Sequence, residues 1–310
     1  MRILVTGAAG YIGSVLVPSL LNKGHQVLAI DNFMYGQTSL LDCCFDKKLT
    51  VVRGDARDKA LISKSLKDTD AIIPLACLTG APLCAKDPVA AETTNLGAIK
   101  ILLELRGKGQ RIVFPTTNSG YGIGKKDKFC DETAAMNPVS FYGKLKVDAE
   151  KAILDSGNSI TLRLATVFGL SPRMRLDLLV NDFTYRAVFD GFIVLFQAHF
   201  KRNYIHIRDI AKVSNHCLDN FEKMKNEPYN VGLSDCNISK LELCKEIKKQ
   251  VPGFYITEAE IGEDPDKRDY IVSNAKIEAK GFKPDFSLQD GIEELIKGFQ
   301  IIKRNQYANI

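Results

Sequence analysis

The sequence predicts an α/β fold, a doubly wound parallel sheet with a smaller C-terminal α/β lobe, on three observations. Short β-branched runs alternate with helical patterns through the first half of the chain, which is the signature of parallel strands joined by crossover helices. The first run, Arg2-Ile3-Leu4-Val5-Thr6, ends directly on Gly7-Ala8-Ala9-Gly10-Tyr11-Ile12-Gly13, and that loop opens a helical segment. The next apolar run, His25-Gln26-Val27-Leu28-Ala29-Ile30, ends on an acid, Asp31.

Each element follows in order. After the first strand, glycines at 7 and 10 let the backbone turn tightly and approach a pyrophosphate, and the N–H groups of the helix start present a positive dipole end. After the second, Asp31, with Asn32 beside it, can accept both hydroxyls of an adenosine ribose and repel a 2′-phosphate, so NAD(H) is favoured over NADP(H). Pro18 falls inside the first helix and should kink it or remove one hydrogen bond. Further strands are expected at Leu49–Val52, Ala71–Leu75, Arg111–Phe114 and Ser159–Leu164. Ligands in such sheets sit beyond the carboxyl ends of the strands. The segments to inspect are therefore Gly54-Asp55-Ala56, Leu75-Ala76-Cys77 and the stretch from Pro115 to Gly122.

The sharpest chemical signal is Tyr142 and Lys146, four residues apart and so on one helical face. A lysine ammonium beside a phenol lowers its pKa from about 10 toward the working range, as proton transfer requires. An isolated pair of this kind reads better as a packed tyrosine and a solvated lysine, and the dinucleotide loop upstream reverses that reading in favour of chemistry.

Composition bounds the rest. At 310 residues and 45% hydrophobic content the chain buries a full core, divided here as 1–168 and 169–310, with a return to the first unit expected near 200–235. A net charge of +5 with lysine runs interrupted by acids implies no nucleic-acid partner. Eight cysteines without a C-x-x-C pair read as free thiols, with no metal site and a reduced, cytoplasmic setting. The chain enters a strand at once, leaving no room for a signal peptide, and no apolar run approaches the ~20 residues of a membrane helix.

The G-x-x-G-x-x-G spacing at 7–13, with Tyr142-x-x-x-Lys146, resembles the extended branch of the short-chain dehydrogenase/reductase superfamily, the NAD-dependent nucleotide-sugar epimerases and dehydratases. The resemblance implies a Rossmann-type sheet, tightly held NAD and a homodimer. It implies that Gly7, Gly10, Tyr11, Ile12 and Gly13 hold the cofactor, with Asp31, Asn32, Asp55, Ala56, Leu75, Ala76 and Asn95 around it. Asp55 reads equally as a turn or cap residue, and Asn95 as an ordinary helix polar residue. Tyr142 and Lys146 become the catalytic pair, with Thr117 as the hydroxyl on the substrate oxygen and Thr116 as its alternative. Asn118 and Ser119 stand where 4,6-dehydratases carry two acids, which disfavours dehydration.

In the second half, Lys201-Arg202-Asn203-Tyr204-Ile205-His206 and Lys267-Arg268-Asp269-Tyr270 are similar to the two diphosphate-binding segments of nucleotide-sugar epimerases. Arg202 and Arg268 would form the clamp, with a surface ion pair as the alternative for either, and His206 is expected to pack. Thr166 replaces the asparagine of the family's R-x-F-N-P corner. Arg173, Arg175 and Asp177 are candidate substrate contacts or caps of the lobe. Asn118–Gly124, the stretch from Arg173 to Ala187 and Gly262–Tyr270 resemble bacterial enzymes that oxidise C4 of GDP-heptose for capsule polysaccharide. The expected activity is therefore a GDP-heptose 4-dehydrogenase. The alternatives are a 4-epimerase, which shares the first half-reaction, and beyond that a small-ketone reductase or a non-catalytic NAD(H)-binding protein.

Overall fold

The computed structural model describes residues 1–125, 128–262 and 266–302. Glu263, Asp264 and Pro265 of the segment singled out above lie outside it, as do Lys126 and Asp127 of the lysine run. Its centre is a seven-stranded parallel sheet of β1 (Arg2–Thr6), β2 (Gln26–Asp31), β3 (Leu49–Arg53), β4 (Ala71–Pro74), β5 (Arg111–Thr117), β7 (Ser159–Leu164) and β11 (Glu227–Val231). The spatial order is β11-β7-β5-β4-β1-β2-β3, every pairing parallel, with the topological reversal between β1 and β4. A crevice opens at such a reversal because the flanking crossovers leave in opposite directions.

The apolar runs of the inner strands exist because both sheet faces are covered there, whereas the edge strand β3 is largely exposed. Ile3 and Val5 of β1 point into one layer and Leu4 into the other, all fully buried. Helices Gly13–Asn22 and Ile207–Asp219 fill the first layer, through Leu16, Val17 and Leu20 and through Ile210, Val213 and Cys217. Helices Ala98–Leu105 and Phe141–Asp155 fill the second, through Ile99 and Leu102 and through Leu145, Ala149 and Ile153. The first helix runs from Gly13 to Asn22 straight through Pro18, so the proline does not divide it.

Three small sheets lie on the C-terminal side of the crevice. They are β8 (Thr166–Phe168) with β10 (Lys201–His206) and β12 (Asn237–Ser239), the parallel pair β9 (Phe192–Leu195) and β13 (Tyr255–Glu258), and the parallel pair β6 (Phe129–Cys130) and β14 (Ile271–Val272). Helices Leu179–Phe189, Lys240–Gln250 and Leu288–Gly298 pack with them. His206 is fully buried, stacked on Phe286 and 2.8 Å from Glu294, as expected of a packing histidine. The eight cysteines are free thiols. Among the described residues no helix is long and apolar enough to cross a membrane.

Candidate active site

Beyond the carboxyl ends of β1, β2, β4 and β5 lies a cavity of about 1150 Å³ running between the sheet and the C-terminal lobe. The glycine loop forms its floor. Gly7 sits at φ +67°, and a Cβ there would lie 2.6 Å from the Ala76 nitrogen, so only glycine lets the loop pack against the end of β4. A Cβ on Gly13 would lie 2.4 Å from the Ala8 carbonyl oxygen, which closes the helix start down on the loop. Leu75, Ala76, Tyr11 and Ile12 line the same floor, and Asn32, Asp55 and Ala56 line the far end.

Asp31 is buried, and its carboxylate accepts the backbone N–H of Ala9 at 2.9 Å and of Phe33 at 2.8 Å and the Gln37 amide at 3.3 Å. A carboxylate has about four acceptor positions, so one remains for a ribose hydroxyl rather than the two expected from the sequence, unless Gln37 turns away. Asp55 is bound to Arg57, at 2.9 Å to Nε and 2.6 Å to Nη2, and this bonding holds its pKa below the usual carboxylate value. The Asn95 side chain does not reach the cavity lining. It bonds both backbone groups of Leu78, at 2.8 and 2.9 Å, and so fixes the loop after β4.

The end of the cavity that carries Tyr142 and Lys146 is built on the Phe141–Asp155 helix. Ser140 caps it, its hydroxyl accepting the Gly143 N–H at 3.1 Å, which places Tyr142 in the first turn and Lys146 one turn on. Both side chains line the cavity. Lys146 Nζ donates to the Pro115 carbonyl at 2.9 Å and lies 4.0 Å from the centre of the Phe114 ring. Burial lowers the Lys146 pKa. The expected depression of the Tyr142 pKa is not what the structure has. Burial pushes the phenol up, and the cations acting against burial are Arg175 and Arg268.

Thr117 ends β5, and its hydroxyl donates to Ser119 Oγ at 2.9 Å while accepting the Ser119 N–H at 3.1 Å. Thr116 is buried and turns its hydroxyl toward the Lys146 carbonyl at 3.5 Å, which leaves Thr117 as the hydroxyl beside Ser119. Asn118 is 1% exposed with both side-chain polar atoms unpartnered, and it is not among the cavity-lining residues.

The C-terminal lobe brings arginines to the same cavity. Arg202 reaches Asp266 Oδ1 at 3.2 Å, and Arg268 meets Asp266 through Nε at 2.6 Å and through Nη2. The second Nη of Arg268 donates to Ser119 Oγ. Burial raises the Asp266 pKa, but the Arg268 hydrogen bond and the two guanidinium charges outweigh it and hold the carboxylate ionised. Arg175 pairs with Asp177 at 2.5 Å. Arg173 is buried with its guanidinium carbon 4.1 Å from the Tyr35 ring centre, near the Asp31 end rather than the Tyr142 end.

A family model described as the NAD dependent epimerase/dehydratase family matches residues 3–232. The chain belongs to the NAD-dependent epimerase/dehydratase family. UDP-glucose 4-epimerase of Lactobacillus helveticus is 29% identical over 94% of this chain and 94% of its own length. UDP-glucuronic acid decarboxylase 1 of Arabidopsis thaliana is 26% identical over 100% of this chain and 71% of its own. The crystal structure of UDP-glucuronic acid 4-epimerase from Bacillus cereus, solved with UDP-glucuronic acid and NAD, superposes with a TM-score of 0.84 at 25% identity, covering 97% of this chain and 99% of that one.

As a member of this family the chain is an NAD-dependent enzyme of nucleotide-sugar chemistry. The positive-φ Gly7 cradle, the acid at the end of β2 and the cavity joining them fit NAD. Sequence reasoning did not single out Tyr35, Gln37, Arg57 or Asp266 in this epimerase/dehydratase chain, and it treated Ser119 only as a missing acid. Asp266 was legible as the acid two before Arg268. The others lie in loops without a local signal, and only the tertiary fold brings them to the cavity.

Proposed function

We propose that this chain oxidises C4 of the sugar of a nucleotide-diphosphate sugar. The observation that carries the reading is that Tyr142 and Thr117, at the end of the dinucleotide cleft, share one cavity with Arg175, Arg202 and Arg268. Cations there suit an anionic diphosphate, which a small ketone would not require. In this reading Tyr142 Oη takes the proton of the 4-hydroxyl, Thr117 holds the same oxygen, and the positive field of Arg175 and Arg268 offsets the burial that disfavours phenolate. Gly7, Gly10, Asp31 and Lys146 would hold NAD, which when bound would supply the hydride acceptor. Ser119 and Asn118 offer no carboxylate at the two positions where 4,6-dehydratases carry their acids, which disfavours elimination of water from C5 and C6.

Two fates of the 4-keto sugar have support. Likeness to UDP-sugar 4-epimerases over nearly the full length favours return of hydride to the other face, a 4-epimerase. The resemblance of Asn118–Gly124 and of the stretch from Arg173 to Ala187 to GDP-heptose 4-dehydrogenases favours release of the keto sugar. The test of the shared half-reaction is Tyr142→Phe. Turnover should fall by at least ~100-fold with NAD binding retained, and retained turnover removes Tyr142 from the chemistry.

A further inference from the structure

We propose that Ser119 is a positioning residue that carries the charge of Arg268 to the Thr117 hydroxyl, and through it to the sugar C4 oxygen. The inference rests on the C4-oxidation reading above. Three contacts define the relay. An Arg268 Nη donates to Ser119 Oγ, the Thr117 hydroxyl donates to the same oxygen at 2.9 Å, and the Ser119 N–H donates to Thr117 Oγ1 at 3.1 Å.

The hydrogen-bond inventory gives this arrangement a direction. A hydroxyl has one proton and two acceptor positions, so Ser119 Oγ is filled by two incoming donors. Thr117, its proton spent on Ser119, has only a lone pair to offer the cavity. The sugar 4-hydroxyl has one proton, and in this reading Tyr142 takes it. Thr117 can then stabilise the developing negative charge on the C4 oxygen only by turning its own O–H toward it. When it does, Ser119 is free to reverse the bond and donate its proton to Thr117 Oγ1.

Every donor then points the same way, from the Arg268 guanidinium to Ser119, from Ser119 to Thr117, and from Thr117 to the C4 oxygen. Each bond in such a chain polarises the next, and the first carries a full charge. No covalent bond changes in the relay beyond the proton transfer to Tyr142 already assigned. The bidentate edge of Arg268 is held by Asp266, which fixes the guanidinium against Ser119. This gives a serine at this position work that a dehydratase acid there does not do.

The test is a double-mutant cycle on the NAD-loaded protein, assayed with UDP-glucose, UDP-glucuronic acid and GDP-heptose in parallel. Ser119→Ala should lower kcat roughly 10-fold with KM little changed, a fraction of the ~100-fold or more reported for direct oxyanion donors. Ser119→Thr, which keeps the hydroxyl, should restore most of it. In a Thr117→Val background Ser119→Ala should cost nothing further, because the end of the relay is gone. A purely structural serine would instead raise KM or reduce NAD occupancy. The relay is overturned if Ser119→Ala stays within about twofold of wild-type kcat, or if its loss multiplies with that of Thr117→Val. A wild-type protein that oxidises no nucleotide sugar overturns the C4 reading and the relay together, whereas an active wild type with an indifferent Ser119→Ala overturns the relay alone.

Discussion

With Asp31 as the ribose acid, Asp31→Asn should lower the preference for NAD over NADP at a measurable cost in stability. The carboxylate accepts two short backbone N–H bonds and one longer amide bond. Hydrogen bonds to a charged acceptor contribute about 1.5–3 kcal/mol against about 1 for a neutral one, so the lost charge weakens the two short bonds by roughly 2 kcal/mol in total. The new NH₂ group must also face either the Ala9 or the Phe33 N–H, adding ~1–3 kcal/mol for a donor left unpaired. On the ligand side, losing one charged contact to the ribose should weaken NAD by ~10–150-fold, at 1.4 kcal/mol per decade.

NADP responds in the opposite direction. A 2′-phosphate carrying nearly two charges, ~5 Å from the carboxylate at an effective dielectric of 20, is opposed by roughly 5 kcal/mol. Removing that opposition should reduce the NAD-over-NADP preference by at least ~100-fold. Calorimetric titration of nucleotide-free protein with each dinucleotide reads both effects, and urea unfolding reads the stability. A preference unchanged within about threefold would refute the assignment of Asp31 as the ribose acid.

Other outcomes follow from buried charges. Glu150 and Arg163 form an ion pair at 2.7 Å with side chains 4% and 8% exposed, joining the Phe141–Asp155 helix to β7. Glu150→Ala should cost ~3–5 kcal/mol in urea unfolding, because Arg163 is left buried, while Glu150→Met with Arg163→Met should cost less than the single change. A single-mutant loss below ~1 kcal/mol would contradict this. Glu294 bonds His206 and Arg208, and although burial raises its pKa these partners bring it down to about 2. A depressed carboxylate stabilises the fold above its unfolded value of about 4.5 and loses that contribution as pH falls through about 2. Glu294→Gln should therefore be destabilising by up to ~3 kcal/mol at neutral pH and nearly neutral near pH 2. A difference that does not shrink with acid would count against it.

How much of this was legible in the sequence depends on how local each signal is. The β1 run, the glycine loop and Asp31 occupy one stretch of 30 residues, and the Tyr142–Lys146 spacing needs only a helix, so these were readable directly. The five strands after β1 that were expected occur where the runs placed them, because their β-branched, largely apolar residues suit a sheet whose inner strands are covered on both faces, while the edge strand β3 is largely exposed. The short strands of the C-terminal lobe pair across long separations, as β14 does with β6, and carry no period of their own. Asn95 looked like a cofactor residue, but its amide is matched to the Leu78 backbone 17 residues away, which only the fold reveals. The Tyr142 pKa went the other way from the expectation for the same reason. Spacing places a lysine one turn away, but burial and the direction of Lys146 toward Pro115 decide the balance.

The claim that C4 of a nucleotide sugar is oxidised in this cavity is tested most directly by mass spectrometry and NMR of products, after incubating the NAD-loaded protein with a panel of GDP-, UDP-, dTDP- and CDP-sugars that includes GDP-heptose. The account predicts either a product lighter by two hydrogens with a carbonyl at C4, which identifies a 4-dehydrogenase, or a product of unchanged mass with C4 inverted, which identifies a 4-epimerase. No change in any sugar, alongside reduction of a small ketone by NADH, would contradict it.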